Sequence, residues 1–225
     1  GTDLDGTIVA HYGFISERTK IAFTAAHEAG IHIYFVTGRP IRWMVEIKEN
    51  FNFGIGICGN GAMLYDFINQ KVLEQWLFPV DAQLETVKRL RKVIPPVTFA
   101  LEVDEKFFRE KKYEPRWEIG EDNVGVEKIE EIITKPALKM LARCINAEFT
   151  SDQMLELASK ELTGIATVTH SNSTDSLLEI SADGVSKGAT LSKIAARHGL
   201  TAQDCVTFGD NPNDFSMLSW ASRSW

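Results

Sequence analysis

Only three cysteines occur in the 225 residues, Cys58, Cys144 and Cys205, and no CxxC pair joins them. Their odd number and wide spacing indicate neither a disulfide framework nor a structural zinc site. Three buried free thiols in a reducing cytoplasm are the expectation. No run approaches the roughly 18 consecutive apolar residues of a membrane span, and no charged segment leading into an apolar stretch opens the chain as a secretory signal would. Basic residues are outnumbered: 24 Lys and Arg stand against 31 Asp and Glu, a formal net charge of −7. Phosphate backbones attract basic surfaces, so nucleic acid is disfavoured as the main partner. Internal repeats, low-complexity tracts and long linkers are absent.

What is present reads as an ordinary globular chain, 44% hydrophobic and 24% charged. It is long enough to bury a core without covalent staples. Roughly one and a half domains fit the length, hence one elaborated domain or a core carrying an insert. Ser16 as N-cap and Gly30 as stop bound a helix pattern with Ile21, Ala22, Ala25, Ala26 and Ala29 turned inward. A β-rich run, 31–36, follows and ends in Thr37-Gly38-Arg39-Pro40. Pro40 suits the first turn of a second helix, which runs to about Asn50. Another buried strand, 55–58, precedes Gly59-Asn60-Gly61. Strands alternating with helices argue for parallel βαβ units.

The middle differs. Residues 62–66 and 71–78 predict a hairpin around Asn69-Gln70, and a helix bearing Leu84, Val87, Leu90 and Val93 stops before Pro95-Pro96. Strands are expected at 97–103, 138–145, 165–170 and 176–181, with helices at 126–133 and 151–162. The α/β rhythm then returns with a helix over 187–198, its face carrying Leu191, Ile194, Ala195 and His198, then a strand at 205–208 and a last helix.

Open parallel sheets bind ligands at the carboxyl ends of their strands. Three polar clusters fall there: 3–7, 37–39 and 209–214. Lys187 opens a helix as a fourth. In Asp3-Leu4-Asp5-Gly6-Thr7 the two acids share one face of an extended chain. Side by side they repel and raise each other's proton affinity unless a cation such as magnesium compensates; an exposed acidic turn is the plainer alternative. Thr37-Gly38 offers a hydroxyl and free amides to an anion. Gly209-Asp210-Asn211-Pro212-Asn213-Asp214 could complete a metal site or cap the next helix. Lys187 opposes its helix dipole, which implies anionic company or simple solvation.

Together these residues resemble the haloacid dehalogenase-like (HAD) superfamily. DxDGT matches residues 3–7, the strand-end Thr matches Thr37, the helix-opening Lys matches Lys187, and GDxxND matches residues 209–214, in the family's order. The wording around Thr37-Gly38-Arg39-Pro40, the Gly59-Asn60-Gly61-Ala62 step and the long insert are similar to the Cof-like phosphatase branch. The resemblance implies an α/β fold with a Rossmann-like parallel-sheet core (1–80 and 184–225) and an inserted α+β cap domain of type two (81–183). Only Gly1 and Thr2 precede Asp3, where the family carries an apolar strand, and the chain stops soon after Asp214. The sheet is what this departure bears on; the motifs are intact.

The implied activity is a magnesium-dependent, cytoplasmic phosphatase of small phosphorylated metabolites. Asp3 would be the nucleophile, forming an aspartyl-phosphate, and Asp5 the general acid and base. Mg2+ would rest on Asp3, the carbonyl of Asp5, Asp210 and Asn211. Leu4 (by its amide), Thr37, Gly38, Lys187 and Asn213 would hold the phosphoryl oxygens, with Thr7 and Asp214 behind them. The cap would close over the site and exclude water. The same resemblance leaves a phosphotransferase such as a phosphohexomutase as a second reading, and a non-catalytic phosphate-binding module as a third. His32 and His170 are read as structural; Arg39 and Trp43 are either substrate contacts or, more plainly, a surface arginine and a packed tryptophan. All of this requires acids near the two ends of the polypeptide to meet.

Overall fold

The computed structural model describes residues 1–10, 13–117 and 122–225. In chain order the helices and strands are α1 (Glu17–Glu28), β1 (Tyr34–Val36), α2 (Val45–Asn50), β2 (Ile55–Cys58), β3 (Met63–Asp66), β4 (Lys71–Gln75), α3 (Val80–Val93), β5 (Val97–Val103) and β6 (Lys106–Arg109). There follow β7 (Lys139–Cys144), α4 (Ser151–Glu161), β8 (Ala166–Thr169), β9 (Leu177–Ala182), α5 (Lys187–Arg197), β10 (Val206–Thr207), α6 (Phe215–Trp220) and β11 (Arg223–Ser224). The chain divides into two compact units, Gly1–Trp76 with Val185–Trp225, and Leu77–Gly184. Among the described residues no helix is long and apolar enough to cross a membrane.

The first unit is built on a sheet with a parallel centre. β1 and β2 pair in parallel, β10 and β11 pair in parallel, and β3 and β4 extend one side as an antiparallel hairpin. Thr2 joins the two parts, bridging Phe35 on one side and Phe208 on the other, both in parallel. Its amide donates to the Tyr34 carbonyl and its own carbonyl accepts from Val36, while Asp3 N–H reaches the Phe208 carbonyl at 2.8 Å. Against this sheet α5 buries Leu191 and Ile194, and with Val36, Ile57, Leu64 and Met217 they form a core cluster.

The second unit is an antiparallel five-stranded sheet in the order β6-β5-β7-β9-β8. Every residue of β5 is buried, as a central strand covered on both faces requires. The amphipathic helices α3 and α4 lay Val87, Leu90, Met154 and Ala158 on one face, against Phe99, Leu101, Met140 and Ile180. The other face carries a smaller cluster of Ala100, Tyr113, Leu141 and Leu177.

Several elements depart from the sequence expectation. α1 has its Ser16 cap, the hydroxyl accepting from Thr19 N–H at 3.1 Å, yet none of its residues is buried and Ile21 is 68% exposed. Its small apolar face, with Ala22, Phe23 and Ala26, borders a cleft of about 730 Å3 across from Leu191 and Val206 instead of packing closely. The strand expected over 31–36 starts only at Tyr34, where Thr2 supplies its second ladder partner. The helix expected from Pro40 to Asn50 breaks at Met44, between the short turn Ile41–Trp43 and α2. Residues 126–133 form one tight turn, Ile129–Glu131, not a helix. β6 was not foreseen: Asp104 and Glu105 both take positive φ, 49° and 61°, and reverse the chain without the usual Asn-Gly signal.

Phe99 is fully buried in the larger core, so Phe99→Ala is expected to destabilise the second unit by about 3–5 kcal/mol. Urea denaturation of the intact chain measures this; an unshifted transition would place Phe99 outside the core.

Candidate active site

The candidate side chains sit just beyond strands of the first unit's sheet, except Lys187, which opens a helix. Thr2 occupies the middle of the parallel sheet, so Asp3 emerges at its carboxyl edge and is buried. Beyond it the chain coils tightly, the Leu4 carbonyl accepting from the amides of Thr7, Ile8 and Val9. Gly6 makes this possible: its φ is +86° and a Cβ there would collide with the Asp210 carboxylate. Thr37 follows β1, buried, its amide donating to the Ile57 carbonyl and its hydroxyl accepting from Arg39 N–H at 3.1 Å. Lys187 is the first residue of α5, after the Ser186 cap. Asp210 to Asp214 lie beyond β10.

The centre is an ionic trio. Lys187, 1% exposed, donates from Nζ to Asp3 Oδ1 and to Asp214 Oδ1, each at 2.6 Å. Burial alone would strip its proton, but the two acids hold the ammonium charged and its pKa above the usual value. Asp3 is pushed up to about 6 by burial, with Lys187 opposing and Asp214 adding to the rise. Asp3 thus feels Asp214, an acid far along the chain, while the Asp5 side chain turns to Arg39.

Asp5 is largely exposed, 58% for its side chain, and both its oxygens are gripped by the Arg39 guanidinium, one at 2.8 Å from Nε and the other by Nη2. Arg39 in turn donates to the Trp43 carbonyl and to Glu46 at 2.8 and 2.9 Å. Arg39 is the functional neighbour that sequence reading left open; its position two residues after Thr37 was the available signal.

Asp3, Asp210 and Asp214 each bring a carboxylate oxygen to within 4.8 Å of the other two. Acids from the beginning and end of the chain do meet. Three hard anionic oxygens, with room left by Gly6, fit a small divalent cation. Thr7 Oγ1 donates to Asp210 Oδ1 at 3.1 Å. The Asp214 Oδ2 accepts from the amides of Asp210 and Asn211 at 3.2 and 3.0 Å, and the Asn211 side chain caps the amide of Asp214 in return. The Leu4 amide hydrogen-bonds the Asp3 carboxylate. Asn213 is buried and donates to Asn60 Oδ1 at 3.2 Å. Away from this cluster, His170 pairs with Asp152 at 2.9 Å inside the second unit, and His32 stacks on His198.

A parallel α/β sheet thus gathers strand-end acids, a helix-opening lysine and a strand-end threonine at one site. A family model described as haloacid dehalogenase-like hydrolase matches residues 1–225, and the chain belongs to that family. It is similar to pyridoxal phosphate phosphatase YbhA of Escherichia coli K12, 27% identical over 97% of this chain and 83% of that protein. It is also similar to the 5-amino-6-(5-phospho-D-ribitylamino)uracil phosphatase YcsE of Bacillus subtilis, at 23% identity over 97% of this chain and 79% of that one. Among solved structures, a phosphatase of the haloalkanoate superfamily from Bacteroides thetaiotaomicron superposes with a TM-score of 0.77 at 21% identity, covering 98% of this chain and 80% of that one.

The raised proton affinity of Asp3 has a stability consequence. Below about pH 4, near the ordinary aspartate value of 3.8, folded and unfolded chains both carry Asp3 largely protonated; above about pH 6 the folded chain must hold it charged at a cost. In EDTA, the stability of Asp3→Asn relative to the parent, which also loses the Lys187 pair, is expected to gain about 1–3 kcal/mol between pH 4 and pH 8. The gain should accrue between about pH 4 and 6 and level off above 6. Urea unfolding across this range checks it; a gain that grows toward acid would refute the burial of Asp3.

Proposed function

We propose that this chain is a phosphatase that hydrolyses phosphate monoesters of small metabolites, with Asp3 as nucleophile and a magnesium ion as cofactor. The observation that carries the reading is the Lys187 ammonium held between Asp3 and Asp214 beside Asp210. An acid cluster that needs a buried cation for company is built for anionic chemistry. The named activities of the relatives, both on phosphorylated small molecules, support the same class.

Asp3 and Asp210 would hold the metal, together with the backbone at Asp5 and the side chain of Asn211, with Asp214 behind them holding Lys187 and the 210–211 amides. When bound, the ion supplies positive charge that lets an anionic carboxylate and an anionic phosphoryl group approach each other. Lys187 supplies a second, permanent positive charge at the nucleophile. Asp3 attacks phosphorus, the P–O bond to the alcohol breaks, and a carboxylate needs no activating base for this. The Thr37 hydroxyl, the Gly38 amide, Lys187 and Asn213 surround the phosphoryl oxygens. Asp5 then gives a proton to the departing alkoxide and takes one from the water that opens the aspartyl-phosphate. In the structure Asp5 is an acceptor in the Arg39 fork, so the side chain must turn out of that fork to act.

Asp3→Asn should reduce phosphate release from p-nitrophenyl phosphate by at least about 10³-fold, with the circular dichroism spectrum unchanged. Retained turnover would remove Asp3 from the nucleophile's role. Separately, chelation with EDTA should silence the parent protein and added magnesium should restore it. Full activity in chelator would overturn the metal.

A further inference from the structure

β2 ends at Cys58 and the chain turns through Gly59-Asn60-Gly61. Asn60 has φ +57° and ψ 31°, the left-handed conformation that asparagine tolerates better than most non-glycine residues. It is also buried, at 3% exposure. Three loops of the active site fasten to this turn. The Gly59 amide donates to the Arg39 carbonyl at 3.0 Å and the Asn60 amide to the Thr37 carbonyl at 2.9 Å. The Gly61 carbonyl accepts from Thr190 Oγ1 at 2.9 Å, and a Cβ at Gly61 would collide with the Ser186 carbonyl, so α5 approaches as closely as backbone permits. The Asn60 side chain accepts from Asn213 Nδ2 at 3.2 Å.

Asn213 is 8% exposed, and its Oδ1 has no hydrogen-bond partner among the described residues. A buried amide held only for packing would be expected to satisfy both ends. Here Asn60 takes one of the two Nδ2 hydrogens and fixes the side chain, leaving the second N–H to donate to a phosphoryl oxygen; Oδ1, an acceptor, would face a donor or a cation. We infer that Asn60 is a positioning residue: it locks the Asn213 side chain and the Thr37 loop into one geometry, so that they present a preformed seat to a phosphoryl group. The inference rests on the phosphatase reading above, and deepens it by adding a residue outside the four motifs. Asn60 acts through Asn213 and Thr37, which lie on either side of it, and need not touch the substrate itself. Its left-handed backbone and its side-chain bond serve separate ends, the first aiming the amide at Thr37 and the second orienting Asn213.

The two can be separated. Asn60→Gly keeps the backbone conformation and deletes the side chain, so the fold should survive. Hydrolysis of p-nitrophenyl phosphate and calorimetric binding of orthovanadate, both with magnesium, are compared in Asn60→Gly, Asn213→Ala and the double variant. Asn60→Gly is expected to lower kcat/KM and vanadate affinity by about 10–100-fold, and the double variant should match Asn213→Ala within about twofold. A loss under about threefold, or losses that multiply, would overturn the inference. Should Asn60→Gly fail to fold, the wild-type protein decides: vanadate must shift the side-chain amide signals of Asn60 and Asn213 together in the nitrogen–proton spectrum, and an unmoved Asn60 signal sinks the idea. A parent that binds vanadate but cleaves no ester would instead refute the phosphatase reading, while the vanadate arm still judges Asn60.

Discussion

A lysine ammonium sealed away from water is the constraint on which the rest of the first unit depends. Lys187 would be strongly destabilising alone, since an unpaired buried charge costs several kcal/mol. It persists because Asp3 and Asp214 each supply a carboxylate at 2.6 Å. Those acids come from opposite ends of the chain, so the ionic trio is also where the beginning and end of the polypeptide are fastened together. Buried ion pairs are a weak source of stability. Here burial leaves Asp3 with a raised proton affinity despite the Lys187 pair.

The sheet explains how the trio is assembled. Parallel strands all deliver their next residues to the same edge. Thr2, lying between Phe35 and Phe208, places Asp3 there; β1 places Thr37; β10 leads to Asp210 and Asp214. The polypeptide leaves this unit after Trp76 and returns at Val185, just ahead of Lys187. The intervening residues make their own antiparallel sheet and hydrophobic core, so the insertion asks nothing of the strands that form the site.

Much of this was legible in the residues. Asp3, Thr37, Lys187 and Asp210 to Asp214 are polar groups at abrupt ends of apolar runs, and side-chain periodicity marked α5, β5 and most of the second unit. Less legible was anything set by a partner distant in sequence. β1 is short because its ladder partners engage only from Tyr34. The reversal at Asp104-Glu105 uses left-handed backbone at residues that do not advertise it. The Asp5 side chain faces Arg39 and not Asp3, since a bidentate guanidinium outbids a like-charged neighbour. Nothing in the local pattern of Gly59-Asn60-Gly61 indicates that three loops hang from it.

The sequence by itself determined which chemical groups are available and that they stand at strand ends, because hydrophobic periodicity and turn residues act over a few neighbouring positions. Only the tertiary structure decided which acid meets which cation. Burial and Coulomb attraction depend on distances between residues far apart in the chain, such as Asp3 and Lys187, and those distances exist only once the sheet has formed.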